Sequence, residues 1–359
     1  MKYPAIVILV LSLLLFSNLA QAAPKPDEVA RTVRAEMEKQ HIPGLALLVS
    51  RKGVPIREQG FGLASLELNV PVRPETVFQS GSIGKQFTAT AVMILVEEGK
   101  ISLNDPLAKY FADGPGWWSG VTIRELLSHT AGFTDYPKDF DLRKDYSEED
   151  LLKIVEAIPA AYPPGTSWSY SNLGYVTLGI LIHRVSGRYF GDFLQERVFK
   201  PLGMSTTRII SEADIIPNRA AGYVLQNGQV KNQEWVSPSA NSTADGSLYF
   251  TILDLVKWDT ALYTEKVLKE SSKQEMWTVA ALNDGKLNRA HYGFGWFVES
   301  RNGHRVVEHD GRWQGFSTQI SRYLDDGLTV VILANQGNCD PHLIADKVAA
   351  VYFANPALR

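Results

Sequence analysis

The sequence predicts an α/β protein of the α+β type. One antiparallel sheet is formed by both chain ends and flanked by helices, and a helical lobe is inserted between the two halves. Three observations lead there. Two strand-like runs, residues 45–50 and 54–62, follow an N-terminal helix. Four more gather after about residue 285. Between them, apolar residues recur at helical rather than strand spacing. The expected division is an α/β lobe of about 23–80 and 285–359 and a helical lobe of about 81–284, within a single domain.

Taken in order, residues 26–41 place Val29, Val33 and Met37 on one face of an amphipathic helix. Lys52-Gly53 is the turn between the first two strands. From Ser82 to about Glu98, Ile83, Phe87, Ala91, Ile94 and Leu95 follow the 3.6-residue period, and Gly99 stops the run. Asn104-Asp105-Pro106 breaks the chain, and Gly114-Pro115-Gly116 marks a loop before Trp117-Trp118. Thr122 with Glu125 forms a capping box for a short helix over 122–129. The turn Tyr162-Pro163-Pro164-Gly165 delivers Tyr170-Ser171-Asn172 to a helix over 173–185, which ends at Gly187. Helices are expected at about 189–199, 251–263 and 344–353, and strands at 292–299, 304–309, 316–323 and 328–334. Asp325-Asp326-Gly327 is the hairpin turn between the last two strands. The loops around Trp117, Tyr136 and residues 223–238 carry no pattern that assigns them a structure.

Composition narrows the function classes. Basic residues number 36 and acidic residues 39, which leaves no electrostatic footprint for nucleic acid or an anionic membrane. Cys339 is the only cysteine, so no intramolecular disulfide can form. Residues 1–22 read as a signal peptide: Lys2 supplies the charge, 5–16 the apolar core and Ala20-Gln21-Ala22 the cleavage site. The expectation is therefore a periplasmic or secreted protein with no stable membrane anchor after cleavage. Neither an H-E-x-x-H segment nor a Cys/His cluster is present, so no metal or cofactor is expected.

Three stretches carry chemistry. Ser82 is followed three residues later by Lys85, which puts hydroxyl and amine on one face of a helix start. Unpaired backbone N–H groups and the positive end of the helix dipole favour developing negative charge there. A hydroxyl beside an amine is a workable nucleophile and base. Tyr170 and Asn172 form the only Tyr-x-Asn. Tyr170 is placed to shuttle a proton and the Asn172 amide to hold a substrate carbonyl, against the plainer roles of packed aromatic and helix cap. Ser239-Ala240-Asn241 is its rival. His309-Asp310-Gly311 ends a strand, where glycine lets substrate approach and the next N–H, that of Arg312, faces a carbonyl oxygen. His291-Tyr292-Gly293 is the rival there.

In order and spacing these stretches resemble the class C β-lactamase and penicillin-binding-protein superfamily of serine hydrolases. The resemblance runs from about residue 46 to 353. It rests on Phe78-Gln79-Ser80-Gly81-Ser82-Ile83-Gly84-Lys85, on Leu126-Leu127-Ser128-His129-Thr130-Ala131-Gly132-Phe133, on Tyr170-Ser171-Asn172, on Pro201-Leu202-Gly203-Met204, and on Tyr292-Gly293-Phe294-Gly295-Trp296 ahead of His309-Asp310-Gly311. It implies a β-lactamase/transpeptidase-like fold. It also implies that Ser82 is acylated, that Lys85 and Tyr170 share the proton transfers, and that the N–H groups of Ser82 and Arg312 form the oxyanion hole. On that reading the Lys85 pKa must fall by roughly 3 from ~10.4, about 4 kcal/mol. Tyr170 must be lowered from about 10, with Lys85 helping. His309 stands where the family has Lys, and a histidine is mostly neutral at pH 7. The expected function is an exported serine hydrolase acting through a Ser82 acyl-enzyme on an ester, amide or D-amino-acid peptide, with penicillin hydrolysis weak or absent. The alternative is a non-catalytic sensor of peptidoglycan or β-lactams on the same fold. The expected partner is a small-molecule or peptide substrate, with no nucleic acid.

Overall fold

The structure is a computed structural model that describes residues 27–355. The expected signal segment, residues 1–22, lies outside the described residues.

Helix α1 (Glu28–Gln40) is capped by Asp27, whose carboxylate accepts the Ala30 N–H, and it turns into β1 through left-handed His41. Strands β1 (Gly44–Arg51), β2 (Val54–Ser65) and β3 (Val70–Pro71) follow. Next, β4 (Phe78–Gln79) feeds a single 3₁₀ turn over Gly81–Ile83, and only then does α2 (Gly84–Glu97) begin. Ser82 thus sits in a tight turn ahead of the α-helix rather than in its first turn.

The inserted lobe holds α3 (Ile123–Leu127), α4 (Glu148–Ala157), α5 (Asn172–Ser186), α6 (Phe190–Leu194) and α7 (Lys200–Leu202). It continues through β5 (Arg208–Ile209), the hairpin β6 (Tyr223–Gln226) and β7 (Gln229–Asn232), β8 (Leu248–Phe250), α8 (Ile252–Ala261) and α9 (Glu270–Met276). The chain returns to the sheet with β9 (Phe297–Arg301), β10 (His304–Trp313), β11 (Phe316–Tyr323) and β12 (Leu328–Ala334), and closes with α10 (Pro341–Ala354).

The main sheet is antiparallel and has seven strands in the order β3-β2-β1-β12-β11-β10-β9. Both chain ends meet at its centre, where Leu45 pairs with Ala334 and Arg51 with Leu328. Alternate residues of these central strands enter different cores. Leu45, Leu47, Val330 and Ile332 pack with α1 and α10, whereas Ala46, Leu48, Val331 and Leu333 join the larger core of the helical lobe. Covered on both faces, β12 reads Leu-Thr-Val-Val-Ile-Leu-Ala with no polar alternation. A buried ion pair fastens the lobe to this sheet. Asp259 of α8 meets Arg322 of β11 at 2.8 Å and accepts the hydroxyls of Ser50 at 2.5 Å and Thr329 at 2.9 Å.

Several boundaries differ from the sequence expectation. The strand expected from Tyr292 begins at Phe297, because Asn288 takes over the Tyr292 backbone: its Oδ1 accepts the Tyr292 N–H at 3.0 Å and its Nδ2 donates to the Tyr292 carbonyl at 2.8 Å. The Tyr292 carbonyl also accepts the Ala280 N–H at 3.1 Å, and Tyr292 keeps only an isolated bridge to Phe297. Strand β10 does not stop at His309 but runs through Gly311 to Trp313, paired with β11 throughout. Helices α4 and α9 and the β6–β7 hairpin occupy stretches for which no element was expected.

Candidate active site

Two small residues make the close approach that builds the site. Gly81 has φ +52°, and a Cβ there would lie 2.4 Å from the Arg312 nitrogen. A Cβ on Gly311 would lie 2.2 Å from the Ser80 carbonyl oxygen and 3.1 Å from the Ser82 nitrogen. The β10 backbone therefore lies directly against the Ser82 turn, and the N–H groups of Ser82 and Arg312 belong to two backbones in contact. On the other side, Gly246 packs as tightly: a Cβ there would be 2.7 Å from the Gly81 carbonyl. Ser80 Oγ locks that contact by donating to the Gly246 carbonyl at 2.7 Å and accepting the Leu248 N–H at 3.1 Å.

Ser82 is half-buried, so its hydroxyl stays within reach of solvent. Lys85, one α-helical step into α2, is wholly buried. Its Nζ reaches Ser82 Oγ at 3.1 Å, Asn172 Oδ1 at 2.7 Å and the Asp245 carbonyl at 2.5 Å. Burial lowers its pKa to about 8, against the opposing charges of Asp245, Asp135 and Asp310. At pH 7 about a tenth of this amine is unprotonated.

Tyr170 lies on the other side of the amine, with Lys85 Nζ 4.8 Å from its ring centroid. Its hydroxyl neighbours Ser82 but completes no hydrogen bond within the protein. The sequence reading expected its pKa to be lowered, and this is corrected. Burial pushes it well above 10, and a partial contact with Ser82 offsets only part of the rise. Tyr170 is a phenol, not a phenolate, whereas the neighbouring Lys85 amine has its pKa lowered toward neutrality.

Asn172 is not the helix cap, a role that falls to Ser171, whose Oγ accepts the Gly174 N–H at 3.0 Å. Instead, Asn172 accepts from Lys85 through Oδ1 and donates through Nδ2 to Asp135 at 3.0 Å. Its amide is thereby oriented: the oxygen faces the lysine and the nitrogen the exposed carboxylate.

His309 is buried, and both ring nitrogens are occupied. Nδ1 donates to the Asp310 carbonyl at 2.6 Å, which fixes the tautomer, and Nε2 accepts the Tyr292 hydroxyl proton at 2.9 Å. Burial drives its pKa down to about 4, with Asp310 opposing and Lys85 adding to the fall. Its ring is 6.2 Å from that of Tyr170. Arg312 is exposed and lines a pocket of about 230 Å³ with Glu308, Asp310, Asp340 and His342.

The structure thus brings Ser82, Lys85, Tyr170, Asn172, His309 and the Gly311–Arg312 backbone together in one place. The rivals do not join them in the same way. Asn241 accepts the Trp313 indole N–H at 2.9 Å, and His291 is exposed beside Glu299 at 3.7 Å. Among the described residues, no group of three or more His, Cys, Asp or Glu side chains is placed to hold a metal ion.

Sequence reasoning gave no role to His129, Tyr292, Asp135 or Asp245. His129 has φ +61° and accepts the Ser171 N–H on Nδ1 at 3.2 Å, with its ring 4.3 Å from that of Tyr170 and 4.7 Å from that of Tyr292. It holds the Tyr170–Asn172 corner from below. A buried-looking histidine three residues before a glycine was the available signal, but its partners lie far along the chain.

Comparison with known proteins gives the family of this fold. The Beta-lactamase family profile matches residues 29–352. Penicillin-binding protein 4* of Bacillus subtilis is 30% identical over 320 residues, covering 83% of this chain and 69% of that protein. The unguisins hydrolase ungD' of Aspergillus campestris is 30% identical over 338 residues, covering 87% of this chain and 62% of that protein. Among solved structures, the octameric penicillin-binding protein homologue from Pyrococcus abyssi superposes with a TM-score of 0.79 at 26% identity, over 91% of this chain and 76% of that one. The profile spans nearly the whole chain, and the chain belongs to the Beta-lactamase family, a family of serine hydrolases.

Proposed function

We propose that the protein is a serine hydrolase in which Ser82 is acylated by an ester, an amide or a D-amino-acid peptide, with penicillin hydrolysis weak or absent. The observation that carries this reading is the buried Lys85 amine 3.1 Å from Ser82 Oγ, with its pKa lowered to about 8. As a free amine it takes the hydroxyl proton while Ser82 Oγ attacks the carbonyl carbon. Charge develops on the carbonyl oxygen, where the N–H groups of Ser82 and Arg312 converge. Tyr170, held as a phenol beside Ser82, supplies a proton to the leaving group and recovers one through the crevice from Lys85. Water then attacks the ester on Ser82, and the same amine removes its proton.

The neutral His309 supports the exclusion of penicillins as good substrates. A penicillin carboxylate is best met by a permanent cation, whereas this imidazole is uncharged at pH 7 and both its nitrogens are bonded within the protein. We also read the chain as exported, through its N-terminal signal segment. N-terminal sequencing of secreted protein tests this, since an intact Met1 contradicts it.

The experiment for the activity is labelling with a fluorophosphonate, alongside a turnover screen of nitrocefin, p-nitrophenyl esters and D-alanyl peptides. Modification of Ser82, lost in Ser82→Ala together with ester turnover, is the expected result. Labelling that persists in Ser82→Ala places the nucleophile elsewhere. Stoichiometric binding of a labelled penicillin with no turnover of any ester replaces the enzyme with a sensor.

A further inference from the structure

Asp245 is a buried carboxylic acid, 3% exposed, that the reaction outlined above leaves without a task. Its position is set by backbone rather than by its own side chain. The Ala244 carbonyl accepts the Thr88 hydroxyl at 2.7 Å, Gly246 is clamped to Ser80, and the Asp245 carbonyl accepts Lys85 Nζ at 2.5 Å. One of the two Asp245 carboxylate oxygens is left without a hydrogen bond among the described residues. Oδ2 accepts the Tyr136 hydroxyl at 3.4 Å, and Oδ1 is buried with no hydrogen-bond partner among the described residues. Burial raises its pKa, and the charge of Lys85 and partial contacts with Thr243 and its own backbone N–H oppose the rise. Placing a carboxyl group there costs folding free energy. The backbone clamp would hold equally well with an apolar side chain, so stability does not explain it. The Asp245 backbone carbonyl contacts the Lys85 amine, and the carboxylate charge acts on that amine.

We propose that Asp245 is a positioning residue for the Ser82 reaction, its buried carboxylate serving as counter-charge to the ammonium that Lys85 becomes on taking the Ser82 proton. The proton balance is closed. The Ser82 O–H bond breaks as the Lys85 N–H bond forms, and when the tetrahedral adduct collapses the departing group takes the Tyr170 proton, which the proton on Lys85 replaces. Asp245 holds none of it. A buried amine is a poor base unless something stabilises its charged form, and a fixed anion in a dry site does so strongly. Other groups also face Lys85. Asp135 from the loop after α3 and Asp310 from β10 add negative charge. The Tyr170 and Tyr175 rings lie 4.8 and 5.4 Å from its Nζ, and the neutral His129 and His309 feel its charge. Asp245 is the buried one of the three acids, hence the least screened.

The inference rests on the serine-hydrolase reading, and the test separates the two. The pH profile of kcat/KM for an uncharged p-nitrophenyl ester is measured for the wild type, Asp245→Asn and Asp245→Gly, the second variant serving if the first folds poorly. Removing the carboxylate moves the midpoint of the acid limb to lower pH by about 1 or more. The plateau falls at the same time, because a weaker base accepts the proton less readily. A midpoint unmoved in a folded variant, whatever happens to the plateau, overturns the proposal and leaves Asp245 structural. If the wild type turns over no ester, or Ser82→Ala retains turnover, it is the serine-hydrolase reading that has failed.

Discussion

The Tyr292 hydroxyl donates to His309 Nε2 at 2.9 Å, in a place where neither side chain is open to solvent. With Nδ1 committed to the Asp310 carbonyl, a second proton on the imidazole must go to Nε2, which reverses the Tyr292 bond so that the phenol oxygen accepts. The strand that carries the Arg312 N–H, the proposed oxyanion donor, is thus anchored by a neutral histidine.

That neutrality has a consequence for acid stability. The pKa of His309 is lowered to about 4, and that of His129 well below 6.5, each chiefly by burial. The unfolded chain therefore binds protons that the folded chain refuses. Their stabilisation is complete above pH ~6.5 and is lost as pH falls toward 4. His309 alone accounts for about 3 kcal/mol, an order-of-magnitude figure from its depressed pKa. Urea midpoints measured from pH 7 down to about 4 should fall steeply in the wild type and less steeply in His309→Gln.

Activity should follow the opposite group. Lys85 must lose its proton to work, and its pKa is lowered to about 8. The kcat/KM profile should rise through pH 8, with the rate at pH 7 roughly a tenth of the plateau. Because Tyr170 is raised well above 10, no falling limb from the phenol is expected below that pH. A stopped-flow or plate assay with one neutral ester settles both limbs, and a plateau already reached at pH 6 would count against Lys85 as the base.

Gly311→Ala should separate folding from catalysis. The added methyl would lie 2.2 Å from the Ser80 carbonyl oxygen and 2.3 Å from Thr318 Oγ1, so β10 must retreat from the Ser82 turn. Losing the alignment of one oxyanion donor costs about 10²- to 10³-fold in kcat. The expected variant still melts cooperatively but turns over ester at least a hundredfold more slowly, by about that principle. Near-normal kcat would show that the Arg312 N–H is not used.

Asp259 offers a purely structural counterpart. It is fully buried against Arg322, with Ser50 and Thr329 completing its bonds. Asp259→Ala strands the guanidinium in a dry site and should destabilise the fold by about 3–5 kcal/mol in urea titration. The double replacement of Asp259 and Arg322 by apolar residues should recover much of that loss.

Where the pattern was local, reading it in one dimension sufficed. Strands 316–323 and 328–334 appear with the expected bounds, since both are unbroken by glycine or proline and set off by Asp325-Asp326-Gly327. The helix after Tyr170 and the Thr122–Glu125 capping box appear for the same reason. Other local signals were present and went unread. Ser147 and Asp150 form a second capping box at the start of α4. Asn227-Gly228, with φ +51° and +75°, is the turn of the β6–β7 hairpin.

Motif order along the chain was enough to nominate Ser82, Lys85, Tyr170, Asn172, His309 and the Gly311–Arg312 backbone, because chemistry restricts which residue types do this work. Their charge states were decided elsewhere. Whether Lys85 titrates near 8 or Tyr170 holds its proton depends on how much water the folded chain removes and which carboxylates remain close. Asp245, Asp135 and Asp310 come from three separate segments to set that balance. Desolvation and through-space charge have no one-dimensional signature, so only the folded chain sets which of these groups holds its proton.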